Sequence, residues 1–404
     1  MKTISTRAAL AGVAAAMLVA APALADVKIG SLGAITGPIV SLVKEINLAE
    51  QAAIDEINAG GGINGDKAVI VFGDTGCNSQ TAVDAANKLV NIEQVVGIAG
   101  ALCSGATIPA ASNVAVPAGV VMISPASTSP EITNLKDNDY LYRTAPSDAF
   151  QGGVLAKLVL SKGIKKVALT YINNDYGVGL AGTFRSTYKA LGGIITADQV
   201  HEEKKQSYRS ELASLASGGS TKLVLIAMGE GSGMTMIRQS LEGGMFDTFI
   251  GADGMHTDKM VEGLGADNVR GKLWGTLPSA KPSKQLDNFK AMYGDGKKFK
   301  FGSPFTAQGY DAVMLVALAA QMAGSSDRTA IRDNLRKVSN APGMIVGPGQ
   351  WAEAVAAIKA GKDINYEGAS GSHEFDAKGE VAGVFAEYQV EGNKLVDSAP
   401  LDLK

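Results

Sequence analysis

The stretch KKVALTYINNDYGVGLAGTFRSTYKALGG, residues 165–193, contains the unit from which this chain is built. Its first part is an apolar run rich in β-branched residues, which is typical of a strand buried on both faces. A polar loop, NNDYGVG, follows at 173–179, and then a segment with apolar residues at helical spacing that ends on paired glycines. The stretch therefore predicts a strand, a loop and a helix in that order, the unit of a parallel α/β sheet.

The same unit recurs along most of the chain. Further apolar runs predict strands at 27–35, 67–74, 95–100, 119–126, 194–200, 222–229, 248–254 and 272–278. Helical patterns at 41–61, 79–92 and 232–245 lie between these strands, and Ser79 is the expected N-cap of the second helix. This alternation predicts an α/β chain with doubly wound parallel sheets. The pattern changes near 140–153 and again after 278, and taken alone it allows two sequential domains.

The N-terminus predicts export. Residues 1–25 begin with Lys2 and Arg7, continue with an alanine-rich apolar stretch and end on Ala-Leu-Ala, which predicts a secretory signal peptide cleaved after Ala25. A membrane anchor is the alternative. Without Lys2 and Arg7 the chain carries 35 basic and 40 acidic residues, a net charge of −5. That charge argues against nucleic acid or an anionic membrane as a partner.

Two cysteines, Cys77 and Cys103, are the only ones in the chain. Because an exported protein meets oxidising conditions, we expect them to form a disulfide, which would close a loop of about 25 residues and stabilise the fold by roughly 3 kcal/mol. Two buried free thiols are the alternative.

The loops that follow the predicted strands are rich in Ser, Thr and Gly and poor in basic residues. Such loops can hold an anion with hydroxyl and backbone N–H groups, and residues 104–107 offer both at a helix start. Ordinary helix capping by Ser104 is the alternative. Asp253 directly follows a predicted strand at the same edge and could receive an ammonium group, with Tyr176 closing over the ligand. A solvated loop aspartate is the alternative for Asp253, and Glu230 holds a similar position on a neighbouring strand end.

No catalytic arrangement is evident in the sequence. Three histidines, His201, His256 and His373, are scattered without metal-ligand spacing, and each is interpreted as a surface or loop histidine. The sequence also lacks a nucleophile elbow and a phosphate-binding loop with its lysine. We therefore predict no metal, no cofactor and no enzymatic activity.

Several motifs, in one order along the chain, resemble the branched-chain amino-acid-binding proteins that serve ABC importers in Gram-negative bacteria. They are VKIGSLGAITGP, AAIDEINAGGGING, CNSQTAVDAANKLV, GALCSGATIPAA, VVMISPASTSPEIT, YRTAPSDAFQG, NNDYGVGLA and GPGQW. The resemblance covers nearly the whole chain after the signal peptide. It implies a type I periplasmic binding fold, in which two α/β lobes are joined by a three-strand hinge and enclose the ligand.

The resemblance also replaces sequential domains by discontinuous lobes. It implies an N-terminal lobe of residues 26–146 and 279–382, and a C-terminal lobe of residues 147–278 and 383–404. A disulfide between the two cysteines also matches the family pattern.

Carried over residue by residue, the resemblance implies a ligand site. Ser104, Thr128 and the backbone at Ala126 would hold the ligand carboxylate, and Asp253 would bind its amino group. Tyr176 would cover the ligand from the C-terminal lobe. Leu42 and Glu230 occupy places where leucine-binding relatives carry aromatic residues, and this difference could enlarge the pocket or admit a polar or cationic ligand tail.

The resemblance implies a periplasmic, monomeric protein that captures an amino acid, a branched-chain or other neutral one, and delivers it to a membrane permease. The alternatives are a binding protein for aromatic acids, amides or urea-like solutes, a sensory ligand-binding module and a periplasmic enzyme.

Overall fold

A computed structural model describes residues 26–403 of the chain. The predicted signal peptide and its cleavage site lie outside these described residues. Two large sheets and a small two-stranded sheet make up the described part of the fold.

The first sheet is entirely parallel and has the order β2-β1-β3-β4-β5. Its strands are β1 (Val27–Gly33), β2 (Ala68–Asp74), β3 (Gly97–Gly100), β4 (Val121–Ser124) and β5 (Leu141–Arg143). The helices between them are α1 (Val40–Ala59), α2 (Ser79–Asn87) and α3 (Ser104–Ala110), and α2 and α3 each continue into a π-helical turn. The central strands β1, β3 and β4 are buried, while the edge strand β2 is half-exposed.

The second sheet has the order β14-β13-β10-β9-β8-β6-β7. Its parallel part contains β6 (Lys166–Ile172), β7 (Ile194–His201), β8 (Lys222–Ile226), β9 (Thr248–Gly251) and β10 (Leu273–Ser279), and two antiparallel strands, β13 (Val384–Glu391) and β14 (Lys394–Pro400), complete it. The helices of this part are α4 (Asp148–Ser161), α5 (Asp175–Ala190), α6 (Arg209–Ala216), α7 (Met234–Gly243), α8 (Asp258–Leu264) and α9 (Ala266–Val269). The prediction of α/β architecture with parallel sheets is confirmed.

After β10 the chain returns to the first sheet. The segment contains α10 (Lys284–Tyr293), α11 (Thr306–Ala323), α12 (Arg328–Ser339), β11 (Met344–Val346), α13 (Trp351–Lys359) and β12 (Ile364–Tyr366). Its apolar residues share one buried core with α1 and the first sheet. Helix α11 is buried along almost its whole length and packs against α1 and β3. The chain then enters β13, so three connections, 144–147, 280–283 and 367–383, join the two large sheets.

Two predicted loops are shorter than expected. Helix α5 begins at Asp175, so Tyr176 lies in its first turn, because the Asn174 side chain accepts a hydrogen bond from the Gly177 N–H and caps the helix there. Helix α3 begins at Ser104 within the stretch predicted as a loop. The prediction of Ser79 as a cap is wrong, since Asn78 is the N-cap and accepts from two N–H groups of α2.

Two histidines contradict the surface interpretation. His201 ends β7 and His373 follows β12, and both side chains are buried. Burial in each case lowers the pKa of the imidazole, that of His201 to about 4, and so favours the neutral ring. Each ring has a hydroxyl group within hydrogen-bonding distance: the Thr170 hydroxyl lies 2.9 Å from Nδ1 of His201, and the Ser370 hydroxyl lies 3.3 Å from Nε2 of His373. His256 lies after β9, as expected for a loop histidine.

The disulfide prediction is confirmed: Cys77 and Cys103 are bonded, with their Cα atoms 5.4 Å apart. The bond joins the loop after β2 to the N-terminus of α3. It therefore fixes the start of α3, where the predicted ligand residue Ser104 lies. Within residues 26–403, none of the helices is both long enough and apolar enough to span a bilayer.

Candidate functional site

Buried hydroxyl groups collect where β3 and β4 end. The Ser104 hydroxyl, in the first turn of α3, accepts a hydrogen bond from the Ser129 N–H at 3.1 Å. One turn later the Thr107 hydroxyl lies 2.6 Å from that of Ser127, which in turn donates to the Ala101 carbonyl at 3.1 Å. These bonds attach the loop after β4 to the start of α3. Ser104 is therefore not an ordinary helix cap, since Cys103 occupies the N-cap position.

The buried Arg143 holds the same loop from its other side. One Nη atom donates to the Ser129 carbonyl at 2.9 Å, and the other pairs with the carboxylate of Glu380 and donates to the Thr133 hydroxyl. Ala126 and Thr128 lie between the hydroxyl contacts of α3 and this arginine, and both are buried. The loop is thus fixed before any ligand arrives, which lowers the entropic cost of binding.

Asp253 lies directly after β9 and is buried, with 5% of its surface exposed. Its Oδ1 atom accepts from Gln151 Nε2 at 2.9 Å and from the Tyr176 hydroxyl at 3.3 Å. The Tyr176 hydroxyl itself accepts from the Gly254 N–H at 3.1 Å. Burial raises the pKa of Asp253, while the bonds from Gln151 and Tyr176 lower it. The solvated loop aspartate considered as the alternative is wrong for this residue.

Asp148 connects the two groups of residues. Its Oδ2 atom accepts from the Thr128 hydroxyl at 2.8 Å, and its N–H donates to the Thr128 carbonyl at 2.8 Å. The Ser129 hydroxyl adds a second bridge, to the Asp175 carbonyl at 2.9 Å, beside Tyr176. The structure therefore brings Ser104, Ala126, Thr128, Tyr176 and Asp253 into one buried region between the two large sheets.

Leu42 and Glu230 lie near each other, where the start of α1 meets the turn before α7, and apart from the residues described above. Glu230, in the turn before α7, accepts hydrogen bonds from the N–H and the hydroxyl of Ser41, in the first turn of α1. The Ser41 hydroxyl also lies 3.2 Å from that of Thr257. Leu42 lines a cavity of about 330 Å³ beside this contact. We call the set Ser41, Glu230 and Thr257 the latch, because it joins α1 to the second sheet's helices.

Sequence reasoning missed Asp148 and Gln151. Both belong to α4, whose N-cap Ser147 accepts from the Ala149 N–H. The predicted ligand residues lie mostly in loops that follow strands, whereas Asp148 and Gln151 lie in and just after the first turn of a helix. Their spacing of three places both side chains on one helix face, and a polar pair at this spacing on a mainly apolar helix would have been the available signal.

Two α/β sheets, one parallel and one mixed, with a buried polar region between them and three connections that join them, define the architecture of a solute receptor. The family model described as periplasmic binding protein matches residues 26–382, so the chain belongs to the periplasmic binding protein family. Membership of this family makes the chain a solute-binding protein and not an enzyme, as the sequence predicted. It also makes the chain a periplasmic protein.

Individual relatives agree with this family. An amino acid binding protein of Pseudomonas aeruginosa is 29% identical over 335 residues, covering 81% of this chain and 87% of the relative. A Leu/Ile/Val/Thr-binding protein of Salmonella typhimurium is 30% identical over 336 residues, covering 81% and 87%. The branched-chain amino acid transporter substrate-binding protein LivJ of Streptococcus pneumoniae, solved with isoleucine, is 26% identical with a TM-score of 0.76, covering 93% and 99%. The predicted type I periplasmic binding fold is thereby confirmed.

Proposed function

We propose that this protein captures a neutral α-amino acid, with leucine, isoleucine and valine as first candidates, and delivers it to the membrane permease of an ABC importer. The observation that carries the proposal is the buried carboxylate of Asp253 in the same hydrogen-bonded region as the buried hydroxyls of Ser104 and Thr128. An α-amino acid carries a carboxylate and an ammonium group on the same carbon atom. Its binding site must therefore offer hydrogen-bond donors for the first group and an acidic side chain for the second. The amino acids named for the relatives support the same class of ligand.

In this proposal Ser104, Thr128 and the backbone at Ala126 hold the ligand carboxylate, and Asp253 receives the amino group. The Ser104 hydroxyl accepts from the Ser129 N–H, so its own proton is free to point at an anion. The Thr128 hydroxyl has one proton, which it donates to Asp148. Thr128 therefore binds the carboxylate of the ligand through its backbone N–H, or through its hydroxyl once the hydrogen bond to Asp148 is released. Tyr176, Leu42 and Glu230 complete the cover.

The lobes are part of the proposal: residues 26–146 with 279–382 form one, and residues 147–278 with 383–404 form the other. The return of α10–α13 to the first sheet supports this division, as does the pairing of β13 with β10. We further propose that the mature protein begins at Asp26, after signal-peptide cleavage, and acts as a monomer. Ligand contacts from both lobes would then shift an open–closed equilibrium towards the closed state.

The experiment that tests the function is a titration of the mature chain by isothermal calorimetry with L-leucine, L-isoleucine and L-valine. Benzoate and acetamide are the competing ligand classes. We expect the amino acids to bind, and at a concentration of 100 Kd to stabilise the protein by about 2.7 kcal/mol in thermal unfolding. Binding of benzoate or acetamide alone would overturn the assignment of Asp253, since neither carries an ammonium group.

The latch provides a second test, because none of its three residues is predicted to bind the carboxylate or the ammonium group of the ligand. Ser41→Ala removes a hydrogen bond to the charged Glu230, which we expect to destabilise the closed state by about 1.5 kcal/mol and to weaken leucine binding roughly tenfold. Calorimetry would give the affinity, and small-angle scattering of the ligand-free protein would show a shift towards a larger radius. Ser326→Ala, in the exposed turn between α11 and α12, is the control. An unchanged affinity would mean that the latch does not contribute to closure.

A further inference from the structure

The turn of residues 229–233, which carries Glu230 of the latch, is held by the side chain of Glu203. Two groups of Ser232 contact this carboxylate: the N–H donates to Glu203 Oε1 at 2.5 Å, and the hydroxyl donates to Oε2 at 3.1 Å. Ser232 is buried and Glu203 is half-buried. Hydrogen bonds shielded from water in this way are stronger than exposed ones. Glu203 therefore fixes the position of Ser232 within the turn.

A buried hydrogen-bond chain connects Ser232 to the second sheet. Since the Ser232 hydroxyl gives its proton to Glu203, its oxygen accepts from Nε2 of His201 at 3.1 Å. Burial favours the neutral imidazole, which has a single N–H group, so Nδ1 accepts from the Thr170 hydroxyl at 2.9 Å. One arrangement of protons thus satisfies all four side chains. The chain joins β6 and the end of β7 to the turn after β8, and these three strands are adjacent in the sheet.

Gly231 lies between Ser232 and Glu230 and interrupts the helical geometry of the turn, with φ −117° and ψ −127°. A methyl group at this position would overlap the carboxylate of Glu203. Beyond the interruption, Glu230 Oε1 accepts from the N–H of Ser41 at 3.3 Å and also from its hydroxyl. The position of Glu230 therefore depends on the turn that Glu203 and His201 hold.

We propose that Glu203 and His201 are positioning residues for the latch. They hold the turn of residues 229–233 in the shape that lets Glu230 reach Ser41, and they thereby set the ligand affinity from outside the ligand site. Among residues 26–403, neither side chain forms a hydrogen bond with Ser41 or with a predicted ligand residue. The inference rests on the proposed function, because the latch affects affinity only if the ligand closes the two lobes.

A purely structural role for this network makes a different prediction. If Glu203 only stabilises the region around β7 and β8, its replacement lowers the melting temperature of the ligand-free protein and leaves the affinity for leucine unchanged. If Glu203 positions Glu230, its replacement weakens leucine binding, and it does so only while Ser41 is present to donate to Glu230. A double-mutant cycle between Glu203 and Ser41 therefore distinguishes the two roles.

The test is calorimetric titration with L-leucine of the wild type, Ser41→Ala, Glu203→Gln and the double variant. Glutamine has one acceptor oxygen and an NH₂ group, so the N–H and the hydroxyl of Ser232 no longer both find an acceptor. We expect Glu203→Gln to weaken leucine binding roughly tenfold, as expected for Ser41→Ala, and the double variant to bind no more weakly than either single variant. Glu202→Gln makes the same change of charge at an exposed neighbour, hydrogen-bonded to Asn173, and is the matched control.

Gly231→Ala disturbs the same turn by a different route. It keeps every hydrogen-bonding group of Glu203 and Ser232 and adds a methyl group that overlaps the Glu203 carboxylate. We expect it to weaken leucine binding to a similar extent, and to have no further effect when Ser41 is already alanine. Thermal unfolding of each ligand-free variant shows that it folds.

A hundredfold loss of affinity in the double variant would mean that Glu203 and Ser41 act independently, and it would overturn the positioning role. Wild-type affinity in Glu203→Gln, with or without a lower melting temperature, would overturn it as well. If Ser41→Ala bound leucine as the wild type does, the latch and its positioning residues would both be wrong while the proposed function stood. Failure of the wild type to bind leucine, isoleucine and valine would overturn the proposed function itself.

Discussion

Replacement of Asp253 by asparagine is expected to weaken L-leucine binding by roughly 150-fold, about 3 kcal/mol. Asp253 is buried, and its Oδ1 atom is already held by Gln151 and Tyr176. Asparagine can keep these two contacts with its single oxygen. Its NH₂ group then faces the position proposed for the ligand's ammonium, so a donor replaces a charged acceptor. The variant loses the attraction and gains a repulsion, while the shape of the pocket is unchanged.

Calorimetry with L-leucine measures this effect directly. The matched control is Asp247→Asn, at the opposite end of the same strand β9, where the carboxylate pairs with Lys222 and is half-exposed. That variant is expected to bind leucine as the wild type does. If Asp253→Asn retained wild-type affinity, the ammonium group would have to lie elsewhere, and the orientation of the ligand proposed here would be reversed or wrong.

Local sequence patterns predicted β1–β4 and β6–β10 because each of these strands contains a run of apolar, mostly β-branched residues. The strands that were missed lack this property. β5 has three residues and ends on the buried Arg143, which is satisfied by carbonyl groups and Glu380 rather than by apolar neighbours. β13 alternates buried apolar with polar residues only over 387–391, and β14 buries a single residue, Leu395. Neither strand therefore forms a continuous apolar run, as is usual at the antiparallel edge of a sheet.

The return of α10–α13 to the first sheet could not be read from local patterns. Helix α11 packs on α1 and β3, which lie more than 200 residues earlier in the chain. The spacing of the apolar residues in α11 predicts a buried helix but does not identify the elements against which it packs. Only the resemblance to known binding proteins predicted discontinuous lobes. Contacts of long sequence separation are the part of a fold that periodicity does not encode.

The candidate site was predictable where it follows strands and not where it lies on a helix. Ser104 and Asp253 were found because parallel strands bring their carboxyl ends to one edge of the sheet. Asp148 was missed because an acidic residue in the first turn of a helix has an ordinary explanation in the helix dipole. His201 was misjudged for a related reason, since hydroxyl partners that make its burial tolerable, Thr170 and Ser232, are distant in sequence.

The stability of the ligand-free protein should fall as pH rises, and Glu50 should be a main cause. This residue of α1 is buried against the first sheet, and Ser31 donates to its Oε2 atom at 2.5 Å. Burial raises the pKa of Glu50 from 4.5 to about 8, although the bond from Ser31 lowers it. The folded state therefore binds a proton that the unfolded state has released. Stability is fully present below about pH 4.5 and is lost as pH rises through about 8.

Glu50→Gln removes this titration, because glutamine stays neutral and still accepts from Ser31. Between pH 4.5 and pH 8 the wild type is expected to lose roughly 4 kcal/mol through Glu50, a loss that the variant avoids. At low pH the variant should be the less stable protein, since its NH₂ group brings a second donor into an apolar core. The two curves of unfolding free energy against pH should therefore cross.

Urea unfolding of both proteins at several pH values, followed by circular dichroism without ligand, measures the difference between the curves. The difference matters more than either curve, because burial also raises the pKa of Asp148 and Asp253 and adds pH dependence to both proteins. Glu353→Gln, on the exposed side of α13 beside the same core, should run parallel to the wild type. Parallel curves for Glu50→Gln as well would show that the Glu50 carboxylate is ionised in the folded protein, stabilised by Ser31 despite its burial.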